Sequence, residues 1–436
     1  MHVWWDLCIL ENFVCEVRML RARLGAFAKA SSRWARLSTI ASCRLLHDGR
    51  ALEVLLDDDH SFRFHAFWLR DNAASTRMKT NGQRLVSVND LLGDERISTA
   101  SVMDGGMTLT VTFASGEASC YPVAWLTQHA YDRPRREQRV AAHVELWDAS
   151  INAIPHEDLP AMQADPSRLA SWLDGMHRYG CAKLSGGRAE AGALFEVIEL
   201  FGYVRETNYG RHFDVKTKPN PANLADSALG LQAHTDNPYR DPAPTVQLLY
   251  CIENSCDGGE NTLVDGFAAA VRLLREDPNG FRLLAGFPAC FAYEQKAASE
   301  YTRASLHSRK PMIALAVDGT VESISFNNRS IAPLSGVPYE HMIAYYDAYK
   351  RFARIIDDPS MTVSFKLKPG EAFLVDNRRV LHGRRAFDAS NGGSRWLQGC
   401  YADVDGLYST LRLLRAAAHG SASANRAPHH RCDEVS

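Results

Sequence analysis

Between residues 42 and 126 the chain alternates apolar and polar positions in short runs. "ALEVLL", "SFRF" and "TLTVTF" are three of these runs, and acidic, Gly-Gly and Ser-Gly turns separate them from their neighbours. Alternation with a period of two turns one face of a strand toward a core. The pattern therefore predicts a small antiparallel β domain over residues 42–126, followed by a polar linker over 127–148.

Beyond the linker, helical and strand patterns are mixed. "PSRLASWLDGMHRYG" has apolar residues at helical spacing and ends on Gly180, and Asp265 is placed to cap the helix that begins at "FAAAVRLLRE". Strand patterns recur at "TVQLLYCI", "NTLVDGF", "RVLHGRRAF" and "SRWLQGCYA". Many strands with flanking helices, without regular strand–helix alternation, favour a mainly β fold. We expect a β-sandwich or jelly-roll core over residues 149–417.

The two ends of the chain are set apart from this fold. Residues 17–38 are rich in Arg, Ala, Ser and Leu and contain no acid, as a mitochondrial presequence would be. Asp6, Glu11 and Glu16 precede them, which favours instead an unstructured extension or a start codon assigned too early. We exclude residues 1–41 from the fold and expect a disordered tail over 418–436, which is rich in Ser, Ala, Pro and His.

Composition narrows the classes of function. The 49 Lys and Arg residues nearly balance the 51 Asp and Glu residues, which argues against a nucleic-acid-binding protein. No apolar window is long enough for a membrane span. The ten cysteines are scattered without a CxxC pair, as in proteins of a reducing compartment. We predict a soluble cytoplasmic protein, or a mitochondrial one if the N-terminal segment is a presequence.

A histidine and an aspartate in "LGLQAHTDNPYRDP" are candidate metal ligands. His234 and Asp236 are two positions apart, so in a strand they would share one face, with Thr235 turned away. An HxD pair alone is weak evidence for a metal site, because such a segment can be a surface turn and nothing more. His382, far downstream at a predicted strand end, would complete a set of two histidines and one carboxylate. That set is the facial triad of non-haem Fe(II) oxygenases.

Arg395 strengthens this hypothesis. It lies 13 residues beyond His382 on the following predicted strand. A guanidinium at that place can hold a carboxylate through two parallel hydrogen bonds. 2-Oxoglutarate would need such a contact for its distal carboxylate while its oxo-acid end binds the iron. The four residues together are a much more specific signal than the HxD pair.

The chain from about Cys43 to Leu414 resembles the γ-butyrobetaine and trimethyllysine dioxygenases, within the wider taurine-dioxygenase-like group. Several segments carry the resemblance: "FWLRDN", "RETNYG", "HTDNPYRDP", "VQLLYC", "GGENTLVDGF", "SFNNRS", "PGEAFLVDNRRVLHGRR" and "SRWLQGCYAD". It implies a double-stranded β-helix (jelly-roll) domain and a homodimer. It also implies hydroxylation of an unactivated C–H bond with Fe(II), 2-oxoglutarate and O₂, with ascorbate as a reductant, and release of succinate and CO₂.

The resemblance also assigns residues. His234, Asp236 and His382 would bind iron, and Arg395 the distal carboxylate of 2-oxoglutarate. Other positions match residues that line the co-substrate or contact the substrate: for 2-oxoglutarate Asn223 and Leu249, and for the substrate Tyr209, Phe213, Asp226, Asn327 and Tyr401. Asn327 could instead be a β-turn asparagine, and the two tyrosines could be core residues.

The sequence departs from the family in two places. Animal members bind zinc through a cysteine cluster after the Arg-Asp-Asn turn, whereas here Ala73 to Arg77 follow that turn and the distant zinc histidine falls near Glu117. We expect no zinc in this module. In the aromatic cage for a trimethylammonium group, Asp226 replaces a tyrosine. Asp226 could face a cation, or it could be a surface turn residue.

We therefore expect a dioxygenase of a small quaternary-ammonium zwitterion, with γ-butyrobetaine as the default substrate in a carnitine-forming reaction. The altered cage leaves open an aminophosphonate such as 2-(trimethylammonio)ethylphosphonate. Arg240 and Arg385 could bind its phosphonate, or they could be surface or ion-pair residues. A non-catalytic binding protein that kept the barrel is a second alternative, although retention of all four site residues argues against it.

Overall fold

The computed structural model describes residues 38–78, 80, 83–90, 94–132, 140–216, 228–294, 304–388 and 393–424, the last six of them as backbone only. The chain divides into two compact units between Glu137 and Gln138. Each unit has its own hydrophobic core. A lipid bilayer could not be crossed by any helix within these ranges, because none is long and apolar enough.

In its described residues the N-terminal unit contains two three-stranded antiparallel sheets and two short helices. The first sheet has the order β1-β2-β3 and the second the order β4-β5-β6. The elements are β1 (Ile40–Leu46), β2 (Ala51–Leu56), β3 (Ser61–His65), α1 (Ala66–Asp71), β4 (Ile97–Met103), β5 (Thr108–Phe113), β6 (Ala118–Pro122) and α2 (Val123–His129). The predicted alternation is realised in β5, where Leu109, Val111 and Phe113 are fully buried and the residues between them are partly exposed.

The larger unit contains sixteen strands and seven helices in its described part. Its strands are β7 (His156–Asp158), β8 (Cys181–Ser185), β9 (Phe213–Lys216), β10 (Leu231–His234), β11 (Val246–Asn254), β12 (Asp257–Gly258), β13 (Asn261–Asp265), β14 (Pro288–Glu294), β15 (Ser305–Pro311), β16 (Ile313–Leu315), β17 (Val321–Ile324), β18 (Thr362–Phe365), β19 (Ala372–Asp376), β20 (Val380–Arg384), β21 (Phe387–Asp388) and β22 (Arg395–Ala402). Its helices are α3 (Leu159–Ala164), α4 (Pro166–Tyr179), α5 (Leu194–Ile198), α6 (Gly266–Glu276), α7 (Pro278–Gly286), α8 (Met342–Asp357) and α9 (Val404–Ala424).

Two sheets form the centre of this unit. A six-stranded sheet has the order β7-β8-β19-β11-β22-β9, and a four-stranded sheet has the order β10-β20-β13-β18. An apolar layer made by residues of both sheets, including Leu249, Phe373, Leu263 and Val380, lies between them. Two stacked, mainly antiparallel sheets with helices outside confirm the predicted jelly-roll class.

The two faces of strand β11 pack into two different cores. Leu248 and Tyr250 pack outward into the helix-covered core, whereas Leu249 and Cys251 pack into the layer between the sheets. Both faces are therefore buried, which is why the sequence shows a continuous apolar run instead of alternation. Gln247 is on the inward face and is the polar exception, with 2% of its surface exposed.

Several predicted element ends need correction. Helix α9 continues to Ala424, beyond the tail predicted to begin at residue 418, because its alanine-rich stretch favours the helix. Strand β1 begins at Ile40, two residues before the predicted domain start, since Ile40 is buried in the core. Helix α2 ends at His129 and therefore extends into the linker predicted over residues 127–148. The predicted caps are correct: Gly180 ends α4 with φ 71°, and the side chain of Asp265 accepts from the Phe267 amide.

Candidate active site

Three side chains of metal-ligating type converge between the two sheets. One ligand atom from each of His234, Asp236 and His382 lies within 4.8 Å of the other two. Within the described ranges this is the one group of three such side chains that could hold an ion. His234 and His382 are 5% and 6% exposed, so the site is enclosed.

The backbone brings the two histidines together by strand pairing. His234 is the last residue of β10 and is the register partner of His382 on β20. Asp236 lies beyond the strand end, so the expectation that the pair shares a strand face is wrong. Asn377 holds Asp236 instead: its Oδ1 accepts from the Asp236 amide at 2.7 Å, and its Nδ2 donates to the Asp236 carbonyl at 2.9 Å. Thr235 is turned away, as predicted, and bonds to the Phe326 backbone.

The carboxylate of Asp236 is held in its charged form. Gln247 Nε2 and the Tyr401 hydroxyl donate to its Oδ2 at 2.6 and 2.7 Å, and His234 Nε2 lies 3.2 Å from its Oδ1. Burial raises the pKa of this carboxyl, but the hydrogen bonds and the two imidazoles outweigh burial, so the pKa is lowered overall. Asp236 is thus an anionic ligand at any physiological pH.

Both imidazoles direct Nε2 toward the Asp236 carboxylate, at 3.2 Å from His234 and 3.9 Å from His382. Nδ1 of His234 lies 2.7 Å from the Gln232 carbonyl, which can only accept, so this nitrogen carries a hydrogen and Nε2 is the nitrogen left for a metal ion. Burial, together with the neighbouring His234, lowers the pKa of His382 to about 3. Neutral imidazoles and an ionised carboxylate are the protonation states that metal binding requires. The donor set therefore fits Fe(II).

Arg395 lies in a buried pocket where only part of its hydrogen-bond donors is engaged by the described chain. It is 6% exposed, and its Nη2 donates to Asn261 Oδ1 at 3.3 Å. Its Nε and the Nδ2 of Asn261 are buried donors without a partner in the described chain. A side chain at Gly259 would stand 3.3 Å from the Arg395 Nε, so glycine keeps this space open. Two adjacent unsatisfied donors fit the distal carboxylate of 2-oxoglutarate.

An aromatic cluster adjoins the ligands. The rings of Tyr209 and Phe213 are 6.0 Å apart, and those of Phe213 and Tyr401 are 5.3 Å apart. The Tyr209 hydroxyl is 2.9 Å from that of Tyr239, whose ring stacks on Tyr293 at 4.9 Å. Because Tyr401 also bonds to Asp236, the cluster lies next to the metal ligands. Ring faces at this place can enclose a cation.

The remaining residues predicted from the sequence to line the site lie in several different environments. Leu249 is in the layer between the sheets. Asn327 has both side-chain atoms engaged by protein groups: Nδ2 donates to the Thr235 carbonyl at 3.1 Å and Oδ1 accepts from the Arg329 amide at 3.1 Å. Arg240 bonds to Asn208, and Arg385 is exposed. Asn223 and Asp226 lie outside the described residues.

Several residues that line or support the site were not identified from the sequence. They are Gln247, Asn261, Asn377, Tyr239, Tyr293 and Gly399. Gln247 carried a signal, since it is the polar residue in an otherwise apolar strand. Gly399 pairs with Phe213, and a methyl group there would meet the Phe213 ring at 2.4 Å, so glycine makes room for the ring. Tyr293 carried no signal, because only packing brings it to the cluster.

In the N-terminal unit, Glu117 is paired with protein groups. Its carboxylate accepts from Arg70 at 2.6 and 2.8 Å and from the Ser75 hydroxyl at 2.6 Å. Arg70 belongs to the Arg-Asp-Asn turn, and its guanidinium is stacked near Phe113. These polar contacts connect the Arg-Asp-Asn turn and the segment that follows it to Glu117.

Family comparisons cover most of the chain. Residues 143–401 match the family "Taurine catabolism dioxygenase TauD, TfdA family", and residues 43–127 match "Gamma-butyrobetaine hydroxylase-like, N-terminal". The first match alone spans more than half of the chain. The two matches correspond to the larger unit and the N-terminal unit respectively.

Individual relatives are similar over nearly their full length. The chain is 34% identical to gamma-butyrobetaine dioxygenase of Pseudomonas sp. (strain AK-1), over 87% of this chain and 97% of that protein. It is 27% identical to the Homo sapiens gamma-butyrobetaine dioxygenase, over 86% and 97%. It is 30% identical to the mitochondrial trimethyllysine dioxygenase of Gallus gallus, over 89% and 92%.

Proposed function

The chain belongs to the taurine catabolism dioxygenase TauD, TfdA family, and we propose that it hydroxylates γ-butyrobetaine or a closely similar trimethylammonium carboxylate. The observation that carries this proposal is the contact between Tyr401 and Asp236. It joins a cluster of aromatic faces, suited to a trimethylammonium group, to a ligand set suited to Fe(II). The names of the relatives support the same substrate class.

Each group in the site has a role in this reaction. His234, Asp236 and His382 would hold Fe(II), and Arg395 with Asn261 would hold the distal carboxylate of 2-oxoglutarate. Fe(II) and 2-oxoglutarate, when bound, supply the oxidation by which O₂ gives one oxygen atom to the substrate C–H bond and one to succinate, with loss of CO₂. Gln247 and Tyr401 keep Asp236 ionised and fix the direction of its free oxygen.

The aromatic cluster orients the substrate. Tyr209, Phe213 and Tyr401 would surround the trimethylammonium group, with Tyr239 and Tyr293 supporting the Tyr209 ring. Burial raises the pKa values of the Tyr209 and Tyr401 hydroxyls well above the ordinary value, so both stay neutral. We include Asp226, Asn223 and Asn327 in the substrate and co-substrate sites by family resemblance. We further propose a homodimer located in the cytoplasm.

A substrate screen tests the proposal. Purified enzyme with Fe(II), 2-oxoglutarate and ascorbate is given γ-butyrobetaine, trimethyllysine or 2-(trimethylammonio)ethylphosphonate, and succinate and hydroxylated product are quantified together. We expect γ-butyrobetaine to give the highest kcat/KM with one product per succinate. His382→Ala is the negative control, since it removes one metal ligand. Faster coupled turnover of the phosphonate or of trimethyllysine would reassign the substrate.

A further inference from the structure

Arg329 reaches the metal ligands from a loop that has no assigned role. Its Nη2 lies 2.6 Å from Nε2 of His234, where it donates to the lone pair of the imidazole. Arg329 is exposed at the surface, whereas Arg395 is buried. The chain thus offers two guanidinium groups at the site, one in a closed pocket and one open to solvent.

The backbone of Arg329 is fixed relative to the ligands. The Thr235 amide donates to the Phe326 carbonyl at 2.8 Å, and Asn327 Nδ2 donates to the Thr235 carbonyl at 3.1 Å. Asn327 Oδ1 then accepts from the Arg329 amide. Thr235, which lies between the ligands His234 and Asp236, is therefore hydrogen-bonded directly to the loop that carries Arg329. The place from which the Arg329 side chain reaches the site is thus set by the backbone.

The guanidinium of Arg329 is not within ion-pair distance of a carboxylate among the described residues. No carboxylate in those ranges forms an ion pair with Arg329, although many of the other arginines do so. Its present acceptor is the lone pair that a bound metal ion would use, and one lone pair cannot serve both. With a metal held there, the Arg329 guanidinium is available to another acceptor at the edge of the site. A carboxylate matches the planar fork of a guanidinium.

The cation-binding and anion-binding groups flank one pair of ligands. Tyr401 contacts Asp236 at Oδ2, Arg329 contacts His234 at Nε2, and Asp236 Oδ1 is 3.2 Å from that nitrogen. A zwitterion lying across the ligands would thus place its trimethylammonium end on the aromatic cluster and its acid end at Arg329. The carbon atoms between the two ends would then face the metal.

We propose that Arg329 binds the carboxylate of the substrate and so selects acid-bearing trimethylammonium compounds over neutral ones. This inference rests on the proposed function, because it takes a trimethylammonium carboxylate as the substrate. It assigns Arg329 to the primary substrate and leaves 2-oxoglutarate to Arg395.

Kinetics on a matched pair of substrates test the assignment. The pair is γ-butyrobetaine and its primary amide, which have the same length and the same cation but differ in charge at the acid end. We expect the wild type to prefer the acid. Arg329→Gln should raise the KM for γ-butyrobetaine about tenfold to a hundredfold, the range for a charge-assisted bidentate contact. The KM for the amide and the KM for 2-oxoglutarate should change by less than about twofold, and Arg329→Lys should be intermediate.

A binding measurement separates recognition from turnover. Without O₂, calorimetric titration of γ-butyrobetaine into enzyme loaded with Fe(II) and 2-oxoglutarate should show the same loss of affinity in Arg329→Gln. Arg354→Gln, an exposed arginine on α8, is the matched control and should behave as wild type.

The outcomes distinguish the two claims. If the wild type uses neither member of the pair, the proposed function fails and the Arg329 assignment fails with it. If the wild type oxidises γ-butyrobetaine but Arg329→Gln weakens acid and amide equally, the proposed function stands and the Arg329 assignment is wrong. A rise confined to the KM for 2-oxoglutarate would also overturn it, by showing that Arg329 holds the co-substrate.

Discussion

Gln247 and Tyr401 are register partners on the antiparallel strands β11 and β22, and both donate to the same oxygen, Oδ2 of Asp236. A ladder between two strands of the six-stranded sheet thereby orients a ligand that lies beyond the end of β10, in the four-stranded sheet. With Oδ2 occupied by two donors, Oδ1 is the oxygen left for a metal ion. Under the proposed function Tyr401 would have two roles, one toward Asp236 through its hydroxyl and one toward the substrate through its ring.

Removal of these donors should weaken metal binding more than additively. Tyr401→Phe and Gln247→Leu each leave one donor on Oδ2, whereas the double variant leaves none. We expect each single variant to lose up to about tenfold in Fe(II) affinity, and the double variant to show an additional coupling of about 0.5–3 kcal/mol. Calorimetric titration with metal measures the metal affinity of the wild type, the two single variants and the double variant. Tyr250→Phe, whose hydroxyl donates to the Arg188 carbonyl, is the control; strict additivity would show that the two donors act independently.

Asn377 should be required for the position of Asp236. Asn377→Ala removes the hydrogen bonds to the Asp236 backbone and to the Pro244 carbonyl, leaving buried polar groups unpaired. We expect metal affinity to fall about tenfold to a hundredfold and the free energy of unfolding to fall by about 1–3 kcal/mol. Asn328→Ala, in an exposed loop, serves as the comparison. Wild-type metal affinity in Asn377→Ala would mean that the backbone positions Asp236 without the side chain.

Arg395 should set the affinity for 2-oxoglutarate. Arg395→Lys keeps the positive charge but loses the planar fork, so binding should weaken without being abolished. The expected rise in the KM for 2-oxoglutarate is about tenfold to a hundredfold, with the KM for the primary substrate little changed. Steady-state kinetics on both substrates measure this, with Arg385→Lys at an exposed position as control. An unchanged KM would assign the carboxylate to another residue.

Asp226 should be replaceable if the substrate carries a trimethylammonium group. Asp226→Tyr restores the aromatic residue that the family has at this position, so kcat/KM for γ-butyrobetaine should be preserved or improved. A substrate that needs the carboxylate would instead lose one to two orders of magnitude, as expected for a lost ion contact of roughly 1.5–3 kcal/mol. Parallel assays on γ-butyrobetaine and on 2-(trimethylammonio)ethylphosphonate compare the two cases.

The stacked pair of His143 and His177 should make stability depend on pH below neutrality. Their rings are 4.0 Å apart, and burial with the neighbouring His143 lowers the pKa of His177 to about 4. His177 therefore takes up a proton near pH 6.5 in the unfolded chain but only near pH 4 in the folded chain. Stability is complete above pH 6.5 and falls as the pH decreases through this window.

The size of this effect is measurable by denaturation. We expect a loss of about 1–2 kcal/mol in the free energy of unfolding between pH 7 and pH 4.5, after allowance for solvent screening of the partly exposed pair. His177→Phe should keep the ring packing and flatten this part of the profile. His156→Phe, at an exposed position, should leave the slope unchanged. A slope that persists in His177→Phe would assign the proton uptake to other groups.

Local patterns in the sequence determined most of the elements and the chemistry of the site. The period of two in β5, the apolar run of β11 and the caps at Gly180 and Asp265 depend on near neighbours, and each prediction is confirmed. The residue types of the metal triad, with Arg395 downstream, limited the chemistry to few alternatives. Element ends were less predictable. Helix α9 extends as far as its helix propensity allows, and β1 begins where Ile40 is buried in the core.

Only the tertiary structure decided which distant residues act on those ligands. Asn377 braces Asp236 and Gln247 donates to it, while Tyr293 reaches the aromatic cluster from β14 and Arg329 reaches His234 from the loop after β17. These contacts arise where two sheets and their loops pack together, and chain spacing does not encode them. Periodicity and residue type act over a few neighbouring positions, whereas the stacking of the sheets sets the distance between side chains far apart in the chain.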